Sequence, residues 1–321
     1  MKTILICGAT GFIGRNLLNF YSNKDYKIRA THFRRPVVDG FKNVEWVKCD
    51  LRNPEDVKKV MKDVDIVMQF AATTTGAKDI VSKPYIHVTD NAVMNSLLLR
   101  EAFEQNIEHF IFPSCTIMYQ KSEKALKEED FNPSDDIQSF YFGAGHTKVY
   151  LENMCKFYAG LGKTKHTVIR HSNIYGPYDK YDLEKSHVTG ATITKVMTSE
   201  NGVVNVWGTG EEMRDLLYVE DFISFIEAAL NKQENDYGLY NVGLGKGTKI
   251  KHLVEKVIQC SGNDLRIEHD LTKPTVPTSL FLDCTKAKEE FGWRPNYTLE
   301  TGLKKTIEWY KNEQILNTRA G

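Results

Sequence analysis

The stretch Gly8-Ala9-Thr10-Gly11-Phe12-Ile13-Gly14 decides how this chain folds. It follows the apolar run Thr3 to Cys7 and opens a segment with helical periodicity, Asn16 to Tyr21. Between a strand and a helix, such a glycine pattern is typical of dinucleotide binding. It permits a tight turn, a close approach of the backbone to a pyrophosphate, and close packing of the helix on the strand. The alternative is a plain turn that binds nothing. The predicted cofactor contacts here are Gly8, Thr10, Gly11, Phe12, Ile13 and Gly14.

Apolar runs without alternation recur along the chain, at Asp65 to Ala72 and at His109 to Phe112. Strands buried on both faces lose the alternation of half-exposed strands, and helical stretches such as Asn91 to Gln105 separate the runs. Further strands are predicted over Lys27 to His32, Val44 to Cys49 and Thr167 to Ile169. The pattern predicts an α/β fold with a Rossmann-type, doubly wound parallel sheet.

The chain has 321 residues, about twice the usual length of a single domain, so a second lobe is expected. After Gly176-Pro177, loops rich in Lys, Asp and Gly alternate with short helical segments. We predict a dinucleotide-binding domain over residues 1–177. Residues 178–321 are predicted to form mainly a smaller α+β lobe that faces the ligand, with some segments crossing back to the first domain.

Composition excludes several classes of function. The 42 basic residues balance 42 acidic residues, so no global field attracts nucleic acid or anionic lipid. No apolar run approaches the roughly 20 residues of a membrane span. The N-terminus enters the glycine turn without a signal-cleavage pattern, which predicts a cytoplasmic protein. The six cysteines contain no Cys-x-x-Cys pair, so neither a metal site nor a disulfide framework is indicated.

No ribose-binding acid stands at the end of the second predicted strand, which reads His32-Phe33-Arg34-Arg35. A guanidinium group suits a 2′-phosphate better than a neutral diol, so this segment favours NADP(H), with NAD(H) as the alternative. The competing interpretation is that Arg34 and Arg35 cover a solvated strand end. The remaining predicted cofactor contacts from this part of the chain are His32, Asp50 on the adenine amino group, Leu51, Ala71 and Ala72.

A series of later motifs makes the chain similar to a known family. The motifs are Asn173-Ile174-Tyr175-Gly176-Pro177, Asp179 with Ser186-His187-Val188, Val206-Trp207-Gly208-Thr209-Gly210 with Arg214-Asp215-Leu216, Asn241-Val242-Gly243 and Phe291-Gly292-Trp293. Together with the glycine turn, they resemble the extended short-chain dehydrogenase/reductase superfamily. The resemblance covers nearly the full chain and is closest to the nucleotide-sugar epimerase/dehydratase branch, in particular to the GDP-fucose synthases.

This resemblance implies a nucleoside-diphosphate sugar bound between the two lobes. It implies Lys148 at the nicotinamide ribose, His187 as an acid at a sugar carbon, and Arg214 at the nucleotide or diphosphate. A histidine that titrates near neutrality is able to return a proton to a carbon next to a 4-keto group; the alternative is a plain surface histidine. Further implied contacts are His171, Asn173 and Ile174 to the cofactor, and Thr73, Asn173, His187, Val188, Trp207 and Arg214 to the substrate. By analogy, the helical stretches Val88 to Phe103 and Thr147 to Tyr158 predict a homodimer.

One departure from the family lies four residues before Lys148, where Ala144 replaces the family's tyrosine. The nearest upstream tyrosine, Tyr141, would lie about 10 Å from Lys148 along a continuous helix, too far for direct coupling. Because Gly143 and Gly145 resist helix formation, a later helix start is expected to let the preceding loop bring Tyr141 into the vacant position. Two alternatives stay open at this position: Ala144 is an engineered inactivation, or the chemistry proceeds without a tyrosine acid.

A second departure lies between Pro113 and Tyr119, where the family has a hydroxyl residue and, two residues later, a cysteine base. An ungapped match places Cys115 at the hydroxyl position and Ile117 at the base position, whereas a shift by two places Pro113 at the hydroxyl position. Cys115 is a candidate base because nearby positive charge lowers the pKa of a thiol; the alternative is an inert buried cysteine. Ser114 and Thr116 are the alternative hydroxyl donors.

The leading hypothesis is an NAD(P)-dependent enzyme that acts on a nucleotide-linked 4-keto-6-deoxy sugar, GDP-linked by resemblance, through C3/C5 epimerisation, C4 reduction or both. The candidate catalytic residues are Lys148, Cys115, His187, Tyr141, Ser114 and Thr116. The alternatives are a simple NAD-dependent C4 epimerase and, because of Ala144, a non-catalytic dinucleotide-binding sensor. Pro274 to Ser279 stands where the family carries a basic residue beside the diphosphate, which predicts altered nucleotide binding.

Overall fold

The structure is a computed structural model that describes residues 1–74, 82–183, 186–273, 275 and 279–320. Its strands are β1 (Lys2–Cys7), β2 (Tyr26–His32), β3 (Val44–Lys48), β4 (Ile66–Gln69), β5 (His109–Pro113), β6 (Lys165–His171), β7 (Asn173–Tyr175), β8 (Val203–Trp207), β9 (Met213–Tyr218), β10 (Tyr237–Val242), β11 (Gly247–Lys249) and β12 (Arg266–Asp270). Its α-helices are α1 (Phe12–Tyr21), α2 (Pro54–Met61), α3 (Thr89–Glu104), α4 (Phe142–Ala159), α5 (Val188–Met197), α6 (Val219–Lys232), α7 (Ile250–Ser261), α8 (Thr285–Phe291) and α9 (Leu299–Ala320).

The main sheet has the order β3-β2-β1-β4-β5-β6-β10 within the described residues, and all neighbouring strands pair in parallel. The strand order reverses between β1 and β4, and sheets of this kind bind ligands outside the carboxyl ends of the strands at that point. The predicted Rossmann-type α/β fold is confirmed. β4 ends at Gln69, earlier than the predicted Ala72, and beyond it the Gln69 side chain bonds both backbone groups of Ala71.

The core lies on both faces of this sheet, because successive side chains of a strand point to opposite faces. Ile4 and Ile6 of β1 join a buried cluster with side chains of α1 and α6. Leu5 and Cys7 of the same strand join a second buried cluster with side chains of α2, α3 and α4. Burial on both faces explains why the strands read as continuous apolar runs.

The second half of the chain forms smaller sheets and also returns to the main one. Strands β7, β9 and β11 form a three-stranded sheet, and β8 pairs with β12. Helix α6 packs in the buried cluster that contains Ile4 and Ile6, and β10 pairs with β6. Both elements therefore pack against residues 1–177, although they come later in the sequence. Since β7 continues from β6 and pairs with β9, Arg214 on β9 reaches the carboxyl edge of the main sheet.

Candidate active site

The turn between β1 and α1 has a backbone that requires glycine. Gly8 has φ +72°, and a Cβ atom on it would lie 2.7 Å from the backbone of Ala71. A Cβ atom on Gly14 would lie 2.3 Å from the carbonyl oxygen of Gly8, and one on Gly11 would lie 3.2 Å from the same atom. The Gly8 N–H donates to Thr31 Oγ1 at 3.0 Å. The turn therefore presents bare backbone to a ligand, and the first N–H groups of α1 lack intrahelical partners and face an anion well.

Two arginines lie exposed beyond the end of β2, as the sequence places them. The Arg35 guanidinium donates to the carbonyl oxygen of Thr10 in the glycine turn at 3.4 Å, and Arg34 lies over the Phe33 ring at 5.5 Å. His32 Nδ1 lies 3.3 Å from the Arg35 carbonyl oxygen, so the ring supports the arginine segment. Arg34 and Arg35 thus add positive charge next to the turn.

Asp50 forms an ion pair that the sequence did not predict. Its two carboxylate oxygens accept from Arg52 Nε at 2.9 Å and Nη2 at 2.8 Å, and this pairing lowers the pKa of Asp50. Arg52 also reaches Asp90 of α3 at 3.1 Å. The carboxylate is therefore oriented by a guanidinium group two residues away, and its contact with an adenine amino group stays a prediction. The Leu51 side chain is buried in the core, so the predicted cofactor contact of this residue is limited to its backbone.

The segment after β4 is held by amide side chains that the sequence patterns did not indicate. Buried Gln69 bonds the N–H and the carbonyl oxygen of Ala71 at 3.2 and 3.1 Å, and Asn91 does the same for Thr73 at 3.0 and 3.0 Å. Ala71 lies directly beneath Gly8, Ala72 follows it at the surface, and Thr73 is half-buried. The missed signal is a pair of asparagines on one face of α3, Asn91 and Asn95, with Asn95 accepting from Gln69 at 2.9 Å.

Lys148 lies on α4 and points at the carboxyl end of β5. Its Nζ donates to the carbonyl oxygen of Pro113 at 2.7 Å and lies 4.9 Å from the Phe112 ring. Burial lowers the pKa of Lys148, whereas the neighbouring Cys115 and Glu152 side chains raise it. The lysine therefore stands beside the backbone that leads into Cys115.

Cys115 is a half-buried residue of the loop that follows β5, and its thiol interacts electrostatically with Lys148. Burial raises the pKa of the Cys115 thiol, and the lowering effect of Lys148 is smaller. Desolvation outweighs the nearby positive charge, so it opposes the thiolate form that a base needs, and the role of Cys115 as a base stays a prediction. The raised pKa favours the protonated thiol, a form that is able to donate a proton.

Ser114 and Thr116, the two candidate hydroxyl donors, are both buried next to Cys115. Ser114 is buried and its Oγ donates to Glu152 Oε1 at 2.5 Å, on the core side of the loop. Thr116 is also buried, and its carbonyl oxygen accepts from the Tyr119 N–H at 3.1 Å in a turn. The sequence could not show that Ser114 faces the core, because that orientation depends on Glu152, 38 residues later in the chain.

Tyr141 stands at the N-terminal cap position of α4, immediately before the helix begins at Phe142. The expected late start of this helix is wrong. Gly143 and Gly145 lie inside it, where Cβ atoms would come within 2.9 Å of Val88 and Ile137, so packing explains both glycines. Tyr141 is half-buried; burial raises the pKa of its phenol, Arg214 lowers it, and Cys115 raises it. The phenol therefore approaches Cys115 and Arg214 without a break in the helix.

Two histidines border the same region. His171 ends β6; its Nδ1 lies 2.7 Å from the Ser172 carbonyl oxygen, which can only accept, so Nδ1 carries the proton. Burial lowers the pKa of His171 to about 4, with Lys148 and His187 acting in the same direction. His187 precedes α5 and is accessible to solvent, and desolvation followed by Lys180 lowers its pKa. Burial therefore favours the neutral form of His171, whereas His187 is exposed and its role as an acid stays a prediction.

The remaining predicted residues differ in how they reach the site. Arg214 is partly buried, and burial lowers its pKa, while Tyr141 raises it. Asn173 donates to the carbonyl oxygen of Asp215 at 3.2 Å, which links β7 to β9. Ile174 is buried in the core, so its side chain is not open to a cofactor.

Val188 and Trp207, two predicted substrate contacts, belong to the second half of the chain. Val188 begins α5, and Trp207 ends β8 with an exposed ring over which Lys195 lies at 5.1 Å. Most of Pro274 to Ser279 lies outside the described residues.

A family model described as "NAD dependent epimerase/dehydratase family" matches residues 4–243. The chain belongs to this family. Membership confirms the family resemblance and, at the level of the family, the prediction of an NAD(P)-dependent epimerase or reductase. The match includes the glycine turn, Cys115, Lys148 and Arg214, so the departure at Ala144 lies inside a recognisable family member.

Relatives within this family carry the names of nucleotide-sugar enzymes. The chain is 26% identical to the GDP-L-colitose synthase of Yersinia pseudotuberculosis, over 97% of this chain and 98% of that protein. It is 28% identical to the GDP-L-fucose synthase of Azorhizobium caulinodans, over 96% of each. The UDP-glucose 4-epimerase of Thermotoga maritima, solved with UDP-glucose, matches with a TM-score of 0.85 and 24% identity, covering 97% of this chain and 99% of that chain. The last comparison shows the shared fold. Among the described residues, no helix has both the length and the apolar character needed to cross a membrane.

Proposed function

We propose that this family member is an NAD(P)-dependent enzyme that epimerises a nucleoside-diphosphate-linked 4-keto-6-deoxy sugar at C3 and C5, reduces it at C4, or does both, with GDP as the nucleotide. The observation that carries the proposal is the meeting of Lys148, Cys115, Tyr141, Arg214 and His171 at the carboxyl edge of β5 and β6. Proton donors and acceptors of this kind serve carbonyl chemistry. The names of the GDP-sugar relatives support the choice of nucleotide.

The cofactor proposal rests on the glycine turn and on the two arginines next to it. The turn fits a dinucleotide pyrophosphate, because its closest backbone positions would be filled by a Cβ atom. Arg34 and Arg35 support NADP(H), since Arg52 is already neutralised by Asp50 and Asp90 whereas these two exposed guanidinium groups suit a 2′-phosphate. When bound, the nicotinamide exchanges a hydride with the sugar.

The protein's own residues move the protons in this scheme. For epimerisation, neutral His187 takes the proton from a carbon next to the 4-keto group, and the Cys115 thiol gives a proton to the opposite face of the resulting enolate. This exchanges the roles that sequence resemblance implies. Burial raises the pKa of the Cys115 thiol, which favours the thiol as the proton donor, and His187 is exposed to solvent and accessible as the acceptor. For reduction, Tyr141 protonates the C4 oxygen, and Arg214 stabilises the phenolate left behind.

The second lobe supplies the substrate contacts in this proposal. Arg214 on β9 would bind the diphosphate, and Thr73, Asn173, Val188 and Trp207 would border the nucleotide sugar. Arg214 interacts electrostatically with Tyr141, which supports one guanidinium group that serves both the diphosphate and the phenol.

Binding and turnover test the proposal separately. Titration with GDP, UDP and CDP, and with NADPH and NADH, should give tightest binding for GDP and NADPH. Incubation with GDP-4-keto-6-deoxymannose in D₂O should place deuterium at C3 and C5, and added NADPH should then be consumed. Binding of cofactor and nucleotide without deuterium uptake or NADPH consumption would instead support the non-catalytic sensor that Ala144 suggests.

We also propose that a second copy of this chain covers α3 and α4. These helices lie side by side and expose the apolar side chains Val93, Phe142, Tyr150 and Phe157. The three on α4 fall within an arc of about 80° of the helix surface. An apolar stripe on two adjacent helices is suited to a two-fold, self-complementary interface.

A further inference from the structure

A buried ion pair lies beneath the proposed site and takes no direct part in it. The side chains of Glu152 on α4 and Arg170 on β6 are 6% and 4% exposed, and Arg170 Nη2 donates to Glu152 Oε2 at 2.7 Å. Arg170 Nε adds bonds to Glu152 Oε1 at 3.1 Å and Oε2 at 3.3 Å. A buried pair of this kind is weak evidence for stability, because apolar side chains of similar volume often stabilise a core as well.

Both ends of the loop that carries Cys115 are bonded to this pair. At the start of the loop, Ser114 Oγ donates to Glu152 Oε1 at 2.5 Å. At its end, the Tyr119 hydroxyl accepts from Arg170 Nη1 at 3.0 Å and donates to Asn241 Oδ1 at 2.8 Å. We call residues 114–119 the Cys115 loop.

Lys148 adds a second tie between the same helix and the same loop. Its Nζ binds the carbonyl oxygen of Pro113, and Glu152, one helical turn later, binds Ser114. Two successive residues of the chain are therefore bonded to two successive turns of α4. Cys115 is the next residue, so its position relative to Lys148 depends on both ties.

We propose that Glu152 and Arg170 are positioning residues: their ion pair holds the Cys115 loop at both ends and so sets where the Cys115 thiol stands relative to Lys148. The inference rests on the proposed function for its consequence in catalysis, but the loop geometry it describes does not. Catalysis is sensitive to small displacements of a reacting group, since a misplacement of about 1 Å can reduce a rate about 100-fold.

Three mild variants test the proposal through the chemistry of the thiol. Tyr119→Phe removes one hydroxyl group and leaves Arg170 bonded to Glu152 and to the Glu128 carbonyl oxygen at 3.0 Å. Ser114→Ala releases the other end of the loop, and Glu152→Gln keeps the shape of the pair but removes its negative charge. The readout is the alkylation rate of Cys115 by iodoacetamide in the folded protein, followed on the Cys115 peptide by mass spectrometry. We expect each of these three variants to raise this rate severalfold. Ser114→Thr keeps a hydroxyl group at this position, so its alkylation rate should stay closer to the wild-type value than that of Ser114→Ala.

A matched control is Asp221→Asn. Asp221 is another buried carboxylate, and it accepts from the N–H groups of Asn296 at 2.7 Å and Tyr297 at 3.1 Å. This variant should lower the unfolding temperature and leave Cys115 alkylation unchanged in the folded protein. Wild-type alkylation rates in folded Tyr119→Phe and Glu152→Gln would overturn the proposal, even if Ser114→Ala has an effect.

Turnover gives a second readout where the proposed function holds. In Tyr119→Phe and Glu152→Gln, kcat should fall about 10- to 100-fold with little change in KM, because the loop positions a reacting group rather than binding substrate. Failure of the proposed function is recognised differently: the wild-type protein would then show neither deuterium uptake nor NADPH consumption, while the alkylation experiment would still measure the loop.

Discussion

The Lys148 ammonium group donates a hydrogen bond to the carbonyl oxygen of Pro113 at 2.7 Å, so this lysine is tied to the backbone two residues before Cys115. One of its three N–H donors is used in this bond, which leaves two for a ribose or a sugar. The bond brings α4 and the end of β5 together, and it does not depend on a tyrosine at position 144.

The glycine turn predicts a specific difference between two left-handed glycines. Gly8→Ala should abolish NADPH binding and lower the free energy of unfolding, because of its positive φ and the 2.7 Å approach of its Cβ to Ala71. The left-handed backbone contributes about 1–2 kcal/mol, and overpacking contributes about 1–3 kcal/mol more. The control is Gly162→Ala, at φ +75°, where an added Cβ would have no atom of the described residues within 4 Å. This variant should lose only the contribution of the left-handed backbone and keep NADPH binding. Urea unfolding and fluorescence titration measure the two effects; equal losses in both variants would contradict the account.

The phenol of Tyr141 is expected to act as the acid in C4 reduction. Tyr141→Phe should slow hydride transfer from NADPH about 100-fold or more, since proton transfer by a placed side chain contributes at least that factor. Nucleotide binding should be unchanged. Tyr150→Phe, on the exposed surface of the same helix, is the control. Single-turnover loss of the reduced-nicotinamide absorbance is the measurement, and an unchanged rate would remove Tyr141 from the mechanism.

Position 144 offers a rescue of that variant. In Tyr141→Phe, the added change Ala144→Tyr should restore hydride transfer, because residue 144 lies one helical turn from Lys148, where the ammonium group lowers the pKa of a phenol. Ala144→Phe in the same background supplies the ring without the hydroxyl group and should not rescue. Rescue by both substitutions would mean that bulk, not the hydroxyl group, is what matters there.

Cofactor choice is predicted to depend on the two exposed arginines beyond β2. Arg34→Ala and Arg35→Ala should each weaken NADPH binding about 10- to 100-fold, the value of a charged hydrogen bond, with little effect on NADH. The effect should shrink at high salt, because the side chains are exposed. Arg100→Ala, an exposed arginine on α3 paired with Glu104, controls for loss of charge. Equal weakening of NADPH and NADH would show that the arginines do not read a 2′-phosphate.

Acid should destabilise the fold through His166. This residue is fully buried on β6, and neither ring nitrogen has a hydrogen-bond partner in the part of the chain that the structure describes. Burial lowers the pKa of His166 to about 4. The unfolded chain therefore takes up the proton first as the pH falls, so stability is complete above about pH 6.5 and is lost from there towards pH 4.

The size of this effect is measurable by urea unfolding between about pH 7 and pH 5. Protonation of His166 in the unfolded chain should lower the free energy of unfolding by about 2 kcal/mol over this range. His166→Phe should remove that part of the pH dependence, and His252→Gln, at an exposed histidine, should leave the pH dependence as it is. An unchanged pH dependence in folded His166→Phe would mean that His166 titrates normally.

The exposed stripe on α4 predicts the oligomeric state. Wild-type protein should be a dimer by light scattering, and Phe157→Glu should shift it to monomer, because a carboxylate would be buried without a partner. Leu271→Glu, at another exposed apolar side chain, should remain dimeric. A wild-type monomer would refute the proposed interface.

The sequence was sufficient for the fold because its signals are local. Gly8 and Gly14 can be recognised as obligatory glycines from their spacing, and apolar runs such as that at His109 to Phe112 identify strands buried on both faces. Helix α4 was harder to predict. Gly143 and Gly145 looked like helix breakers, yet contacts with Val88 and Ile137, distant in sequence, explain why glycine stands there.

Taken alone, the sequence determined the parallel sheet and the glycine turn between β1 and α1, because backbone geometry and strand burial leave a periodic record in the chain. The tertiary structure decided what the candidate site residues are able to do. Whether Ser114 faces the core, whether Arg52 pairs with Asp50, and whether burial raises the pKa of the Cys115 thiol all depend on the neighbours that the fold brings to each group. A protonation state is set by everything that surrounds a group in space, and one-dimensional spacing does not record that.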